Sequence, residues 1–337
     1  MDLIKNLFWL IGKDKNLIII REEPDLGFGY NPWERPPEIY IRYGIVNLDK
    51  PPGPTSHQVT TWVKTILGVS KTGHGGTLDP MVTGVLPIGL EKGTLVMRYI
   101  VGSIKEYIGL MKLHGDVDQD KIQKVFNLFK GRIYQRPPVR SSVRRKLRSR
   151  TVYDSKIIEI DGRNILFWIK CESGFYVRKY VHDMGLVLGV GAHLAELRRI
   201  RAGPFSESEY LTNFYQLYAA YHLWEKWDNF VLMRKTIVPL EYVFKNFPLC
   251  VVKDTAVASI IYGGQLKAPG IIAYTSDLKK NKRVALVTKK GELVGVAISV
   301  YDSNELKNID RGIVAKTERV IMEKGIYPPL WRRSSKN

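Results

Sequence analysis

The sequence predicts an α+β chain that closes with a small strand-rich domain. Up to about residue 247, stretches with helical spacing of apolar residues alternate with hairpin signals. Beyond that point the rhythm changes to short, closely spaced strands. No internal repeat, low-complexity tract or apolar run of 18 residues interrupts either part. With 337 residues, 45% of them hydrophobic, the chain can bury one large core or two.

Residues 1–40 read as irregular, because Pro24, Pro32, Pro36 and Pro37 block long elements; they suit an arm lying across a neighbouring domain. GIVNLDKPPGPTS (44–56) reads as a short strand and a loop. From Ser56, a candidate N-cap, Val59, Val63 and Ile66 fall at helical spacing. GHGGTLDP (73–80) follows, then VLPIGL and a strand at 107–115. DVDQDKIQKVFNLFKG reads as a helix capped by Asp118 and stopped by Gly131. A basic, loop-like window comes next, then a hairpin with Asp161-Gly162 as its turn signal. Tyr176, Tyr180, Val181, Met184 and Leu188 make one helical face, and residues 211–246 read as helical and rich in Trp and Tyr. A boundary is expected near Phe247-Pro248, followed by a strand, a short helix ended by Gly263, and strands joined by turns such as Lys290-Gly291.

Lys and Arg number 52 against 33 Asp and Glu, a net charge of +19 that favours a polyanionic partner. Between Asp120 and Asp154 there are eleven basic residues and no acidic one, interleaved with Tyr134, Pro137, Pro138 and three serines. Such crowding repels itself unless an anion neutralises it, and nucleic acid fits best. Cys171 and Cys250 match no metal spacing and no disulfide framework, which suits a reduced, cytoplasmic protein. The apolar LFWLIG (7–12) is too short for a signal or a membrane span. Asp116, Asp118 and Asp120 mimic an EF-hand start, but Lys121 and Asn127 stand where Gly and Glu are needed. There is no P-loop, dinucleotide fingerprint, HExxH pair or GxSxG elbow. Any catalysis is therefore expected to need no metal and no cofactor.

That leaves Asp79, fixed in GHGGTLDP between glycines and Pro80, which holds it out of αR. A turn aspartate capping local amides would look the same. NLDKPPGPTSH (47–57), KTGHGGTLDPMVTGVLP (71–87), KEYIGLMKLHG (105–115), SGFYVRKYVHDMG (173–185) and GAHLAELRRIRAGPF (191–205) resemble the TruB-type pseudouridine synthases. The arm ending RPPEIYIRYG, the HG after KEYIGLMKL and the closing RVIMEKGIYPPLW are similar to the archaeal dyskerin branch, the catalytic subunits of H/ACA ribonucleoproteins. The resemblance spans residues 24–331.

The resemblance implies a pseudouridine synthase fold, α/β (α+β), with a mixed, mostly antiparallel sheet and a small C-terminal β-barrel PUA domain. It divides the chain into an N-terminal arm (1–40) packing on the PUA domain, a catalytic domain (41–247) with a thumb loop at about 132–150, a PUA domain (248–331) and a basic tail (332–337). Asp79 matches the catalytic aspartate, Arg178 its ion-pair partner and Tyr107 the tyrosine that stacks on the target base. Without the resemblance, Arg178 is a surface charge and Tyr107 an ordinary strand tyrosine. Tyr176, His74 and Leu197 match pocket positions, Leu197 being equally at home in a core. Lys50 and Pro51 match a block that brace the catalytic loop. Arg144, Arg145 and Arg148 in the thumb are expected to grip substrate RNA, while Gly263 and Gly264 admit the guide-RNA backbone or simply cap a helix. Gly75 stands where many relatives carry Ser or Thr. Implied partners are an H/ACA guide RNA, substrate rRNA or tRNA, a Nop-type small zinc-ribbon or linker protein, a Gar-type β-barrel protein and a kink-turn-binding ribosomal-type protein. Two other functions fit part of this: a stand-alone synthase of the tRNA T-loop, and a non-catalytic RNA-binding scaffold.

Overall fold

The computed structural model describes residues 2–12, 15–136, 144 and 146–329; Arg145 and the 332–337 tail lie outside them. The chain divides into two compact units, one of Ile45–Ile237 and one that joins Met1–Gly44 to Val238–Asn337. Among the described residues no helix is long and apolar enough to cross a membrane.

In the first unit the strands follow the order Leu211–Thr212, Gly44–Lys50, Thr83–Leu90, Ala192–Ala202, Lys105–Leu113, Asn164–Cys171, Arg148–Asp161, Gly131–Gln135. Leu211–Thr212 runs parallel to Gly44–Lys50, and Thr83–Leu90 parallel to Ala192–Ala202. The other pairings on this path are antiparallel, so the sheet is mixed and mostly antiparallel, as expected. Helices Gln119–Leu128 and Val177–Leu188 bury their apolar stripes in one core with the strands Lys105–Leu113 and Asn164–Cys171. Tyr180 is the hub of that core, with Phe126, Phe129, Phe167 and Phe175 around its ring and its hydroxyl on Ser155 at 3.2 Å. Burying a large apolar side chain of this kind stabilises by about 1.5–3 kcal/mol. The same packing fixes the helix on which Arg178 stands, two residues earlier.

Local chemistry explains where the structure departs from the sequence expectations. The helix Ser56–Leu67 is capped by Thr55 and not by Ser56, because Thr55 and Gln58 form a reciprocal capping box. Ser56 is buried instead. The basic window is only partly loop: Gly131–Gln135 pairs antiparallel with Arg148–Asp161 from Gly131↔Val152 to Gln135↔Arg148. Ile133 and Val152 pack on the core there, which outweighs the loop-like composition around them. The hairpin turn is displaced by one residue to Gly162-Arg163, between the paired Asp161 and Asn164. Gln119–Leu128 ends at Phe129 rather than Gly131, which begins the next strand with φ +87°. Residues 211–246 are helical mainly over Phe214–Trp227, which Asp228 ends in the left-handed region.

In the second unit a seven-stranded sheet runs Leu17–Ile19, Ile271–Thr275, Leu249–Val252, Arg283–Val287, Leu293–Ser299, Ile313–Val320, Leu266–Lys267. The N-terminal residues therefore hold short regular elements where an irregular arm was expected. Leu17–Ile19 adds an edge strand in register with Ala273–Thr275, and the prolines keep the remaining pieces to six residues or fewer. A buried charge cluster ties this stretch to the rest of its unit. Arg35 makes a bidentate pair with Glu241 at 3.0 and 2.7 Å, and Glu292 lies 3.8 Å away. Glu241 also accepts the Leu293 amide and Glu292 the Tyr327 hydroxyl.

A buried pair in which one partner is removed leaves a bare charge, so Arg35→Met is expected to reduce unfolding stability by about 3–5 kcal/mol, read by denaturant titration. Burial raises the Glu292 pKa above the usual carboxylate range, against the opposing pull of Arg35. A folded pKa above the unfolded one means the native state binds the extra proton. The contribution is present below the unfolded value near 4.5 and disappears as pH rises through the folded value. Glu292→Gln should flatten that segment of the melting temperature–pH curve, and an unchanged slope would refute the assignment.

Candidate active site

Asp79 sits in a short loop whose position is set by buried donors from distant stretches of chain. Lys50, with no exposed surface, donates its ammonium protons to the carbonyls of Pro51, Pro80 and Val82 at 2.9, 2.7 and 2.9 Å. The Ser56 hydroxyl donates to the Leu78 carbonyl at 2.9 Å and accepts the Leu78 amide at 2.8 Å. The Gly53 amide adds a bond to the Pro80 carbonyl, and Val82 closes a turn onto the Asp79 carbonyl, each at 3.0 Å. On the N-terminal side, Arg199 donates to the Gly76 carbonyl at 3.1 Å, and the Gly75 amide to Pro87 at 2.8 Å. Both residues flanking Asp79 are therefore bonded to buried side chains, while its own carboxylate projects outward, half exposed.

Glycine is required at two places here. A Cβ on Gly75 would lie 2.8 Å from Ile100 Cγ2, so Ile100 fills the volume that a larger side chain would need. Gly84 adopts φ +97° and a Cβ there would meet the Arg199 carbonyl at 2.3 Å. That close approach lets Thr83–Leu90 pair with Ala192–Ala202 at Gly84↔Arg199.

The carboxylate faces Arg178 at 2.6 Å, in the first turn of Val177–Leu188. With side chains 57% and 51% exposed, the pair is worth at most about 1 kcal/mol to folding, so stability does not explain it. What the pair does is orient the carboxylate. Tyr107 lies close enough to feel the charge of Asp79. Burial raises its hydroxyl pKa and Arg199 opposes that rise. Lys50 also senses Asp79; burial lowers its pKa and the carboxylate pulls it back.

Of the other expected residues, Tyr176 is the N-cap of the Arg178 helix, and its backbone is held on both sides by Gln135, whose amide donates to the Tyr176 carbonyl and accepts its N–H, each at 3.0 Å. His74 is half-buried beside Arg199 and His57, with Nδ1 buried and unpartnered among the described residues; burial first, then Arg199 and His57, lower its pKa. Leu197 pairs with Gly109 and packs on the core around Tyr180. Pro51 contributes a carbonyl to Lys50. Arg148 reaches the Arg144 carbonyl at 3.5 Å, and Arg145 lies outside the described residues. Gly263 and Gly264 belong to the other unit. Gly263, at φ +96°, has open space where a side chain would be, whereas a Cβ on Gly264 would strike Ser259 Oγ at 2.6 Å. Gly264 is thus a packing glycine and Gly263 the accessible one.

Ser56, Gln135 and Arg199 were not expected to serve the site, Ser56 having been read only as an N-cap. Thr55-x-x-Gln58 was readable as a capping box, which frees Ser56 for other work. Arg199 shares the strand face of Leu197 by simple alternation, so its burial was legible. Nothing in the sequence signals Gln135.

Family models match along most of the chain: the N-terminal domain of TruB family pseudouridylate synthase over residues 64–177 and the C-terminal domain of tRNA pseudouridylate synthase B over 178–245. A DKCLD (NUC011) domain matches 5–60 and a PUA domain 248–321. The chain is 46% identical to the probable tRNA pseudouridine synthase B of Pyrococcus abyssi, over 94% of this chain and 96% of that one. It is also 46% identical to the protein of the same description from Methanothermobacter thermautotrophicus, over 94% and 98%. Among solved structures it is similar to a Cbf5-Nop10-Gar1 complex (44% identity, TM-score 0.87, 94% of this chain and 96% of that chain). It is similar as well to an H/ACA RNP bound to a substrate RNA containing 2′-deoxyuridine (42% identity, TM-score 0.88, 94% and 98%). With the fold, the aspartate loop and these relatives in agreement, the chain belongs to the TruB family of pseudouridine synthases.

Proposed function

We propose that the chain is the catalytic subunit of an archaeal H/ACA ribonucleoprotein, isomerising guide-selected uridines of rRNA and tRNA with Asp79 as the acting carboxylate. The observation that carries this reading is the Asp79–Arg178 pair at 2.6 Å on a loop fixed by buried donors. A scaffold protein has no use for an exposed ion pair so rigidly mounted. Its similarity to Cbf5 complexes, together with the DKCLD match, favours the guide-directed branch over a stand-alone tRNA enzyme. Partners in this reading are proteins of the Nop10 and Gar1 types, which accompany Cbf5 in the similar structure, and a kink-turn-binding ribosomal-type protein. The setting is cytoplasmic.

The reaction breaks the bond from C1′ to N1 of uridine and forms one from C1′ to C5; C5 loses its proton and N1 gains one. Asp79 has to meet a nucleotide turned out of its stack, and Arg178 orients its carboxylate for that encounter. Tyr107 offers an aromatic face for the extruded base, a form of recognition that tolerates sequence. Tyr176, His74 and Leu197 line that base pocket, and Lys50 with Pro51 prevents the loop from yielding when RNA binds. Arg144, Arg145 and Arg148 grip substrate phosphates, and Gly263, in the PUA-matching segment, admits the guide backbone, with Gly264 behind it.

Tritium release from C5-labelled uridine in a guide-matched RNA, assayed with guide RNA and partner proteins, should vanish in Asp79→Asn while RNA affinity is retained. Release that persists removes Asp79 from catalysis, and full release on tRNA without guide points to the stand-alone enzyme. Substituting Ala for Arg144, Arg145 and Arg148 together should weaken RNA binding and reduce the slope of log K against log salt by roughly 0.7–0.9 per lost phosphate contact. An unchanged slope contradicts the grip assigned to them.

A further inference from the structure

Gln135 is 1% exposed and ends the strand Gly131–Gln135, one arm of the basic hairpin. Both ends of its side-chain amide are spent on one residue. The amide nitrogen donates to the Tyr176 carbonyl and the amide oxygen accepts the Tyr176 N–H, each at 3.0 Å. An amide carries donor and acceptor side by side, which a carboxylate or an ammonium does not. The other arm of the hairpin is fastened to the same stretch of chain. Sheet pairing between Arg148–Asp161 and Asn164–Cys171 ends at Val152↔Cys171. Beyond it the Glu172 N–H donates to the Thr151 carbonyl at 2.9 Å, and the Glu172 carboxylate accepts the Thr151 N–H at 3.0 Å. Both arms are thus bonded to the stretch that leads into the helix Val177–Leu188.

That helix is entered without a side-chain cap, since Tyr176 makes none at the N-cap position. Ser, Thr, Asp or Asn usually fixes the first turn from there. Here the entry is held by Gln135, from a distant strand. The Tyr176 carbonyl accepts the Tyr180 N–H at 3.0 Å as well as the Gln135 amide, so one oxygen joins helix and hairpin. Arg178 stands two residues further on, its guanidinium 2.6 Å from Asp79. Across the hairpin, the register partner of Gln135 is Arg148, one of the arginines assigned to substrate phosphate. A buried amide therefore lies between the RNA grip and the arginine that orients the acting carboxylate. With almost no surface of its own, it has nothing to offer RNA directly.

We infer that Gln135 is a positioning residue of the isomerisation: it locks the hairpin that grips RNA to the helix that carries Arg178, so that the two move as one piece. This inference rests on the function proposed above. Parting the pair would leave buried donors and acceptors unsatisfied on both sides, which keeps the tie closed. A shift at the base of the hairpin is then passed to the Arg178 backbone, and Asp79 keeps or loses its oriented partner accordingly.

The test is a double-mutant cycle in the complete guide-RNA complex at saturating substrate. Wild type, Gln135→Met, Arg178→Lys and the double variant are compared by single-turnover tritium release, with substrate affinity and melting temperature measured alongside. Methionine keeps the length of glutamine and removes both hydrogen bonds; lysine keeps the charge of Arg178 and removes its planar fork. Gln135→Met should slow release by roughly 10- to 100-fold, with substrate affinity within about twofold of wild type. The double variant should be no more than about threefold slower than the slower single variant, because the geometry that Gln135 secures is already lost. Either single variant at the wild-type rate overturns the inference, whatever its melting temperature. A loss confined to affinity overturns it too, as do two losses that multiply. If Gln135→Met fails to fold, Gln135→Glu decides, since it keeps the acceptor for the Tyr176 N–H and loses the donor to the carbonyl. Slow release with retained affinity upholds the tie, and wild-type release ends the proposal. Wild-type complex that releases no tritium is a different failure, that of the proposed function itself.

Discussion

The function proposed for this chain depends on holding one half-exposed carboxylate still. The Asp79 loop has few contacts of its own, and its rigidity is imported. Lys50 comes from the end of Gly44–Lys50, Ser56 from the first turn of the helix Ser56–Leu67, and Arg199 from a strand more than a hundred residues later. Each spends a buried polar group on a loop carbonyl or amide. Burying such groups is favourable only when their hydrogen bonds are made, so displacing the loop would leave several donors unsatisfied at once. The loop is stiff because yielding is costly in three places.

The charges are arranged in two layers. Outside, Asp79 and Arg178 face each other in partial contact with water, where their attraction adds little to stability and chiefly sets orientation. Beneath them, Lys50 and Arg199 are buried and bonded to neutral oxygens, so neither competes with Arg178 for the carboxylate. Their positive charge still acts on the site: Lys50 is coupled to Asp79, and Arg199 opposes the rise in the Tyr107 pKa that burial causes. His74, beside Arg199, is driven toward its neutral form by burial and by that cation.

Much of this was legible in the sequence, in proportion to how local each signal is. Asp118 caps its helix and the Tyr180 face is buried as the spacing dictates. The Asp79 block stood out because glycines and a proline in eight residues restrict the backbone whatever surrounds them. The mixed sheet and the strand-rich second unit followed from hairpin signals and the family likeness. What could not be read depends on partners far away in sequence. Ser56 looks like a cap until Leu78 is seen against it, and Gln135 looks like any polar residue of a basic window until both its amide atoms meet the Tyr176 backbone. The loop-like composition of 132–150 was misleading because β pairing on a packed face outweighs composition. Arg199 is one of three arginines on Ala192–Ala202, and alternation along the strand separates it from Arg198, whose guanidinium pairs with Asp49.

The central claim is that Asp79, fixed by buried donors and faced by Arg178, meets the target nucleotide directly. The structure of this protein bound to guide RNA, its protein partners and a substrate RNA stalled at the target uridine tests it most directly. The account predicts an extruded nucleotide with a base or sugar carbon about 3–3.5 Å from the Asp79 carboxylate, the Arg178 pair retained and Tyr107 against the base. A target nucleotide seated elsewhere, or an Asp79 loop displaced from Lys50 and Ser56 in the complex, would contradict it.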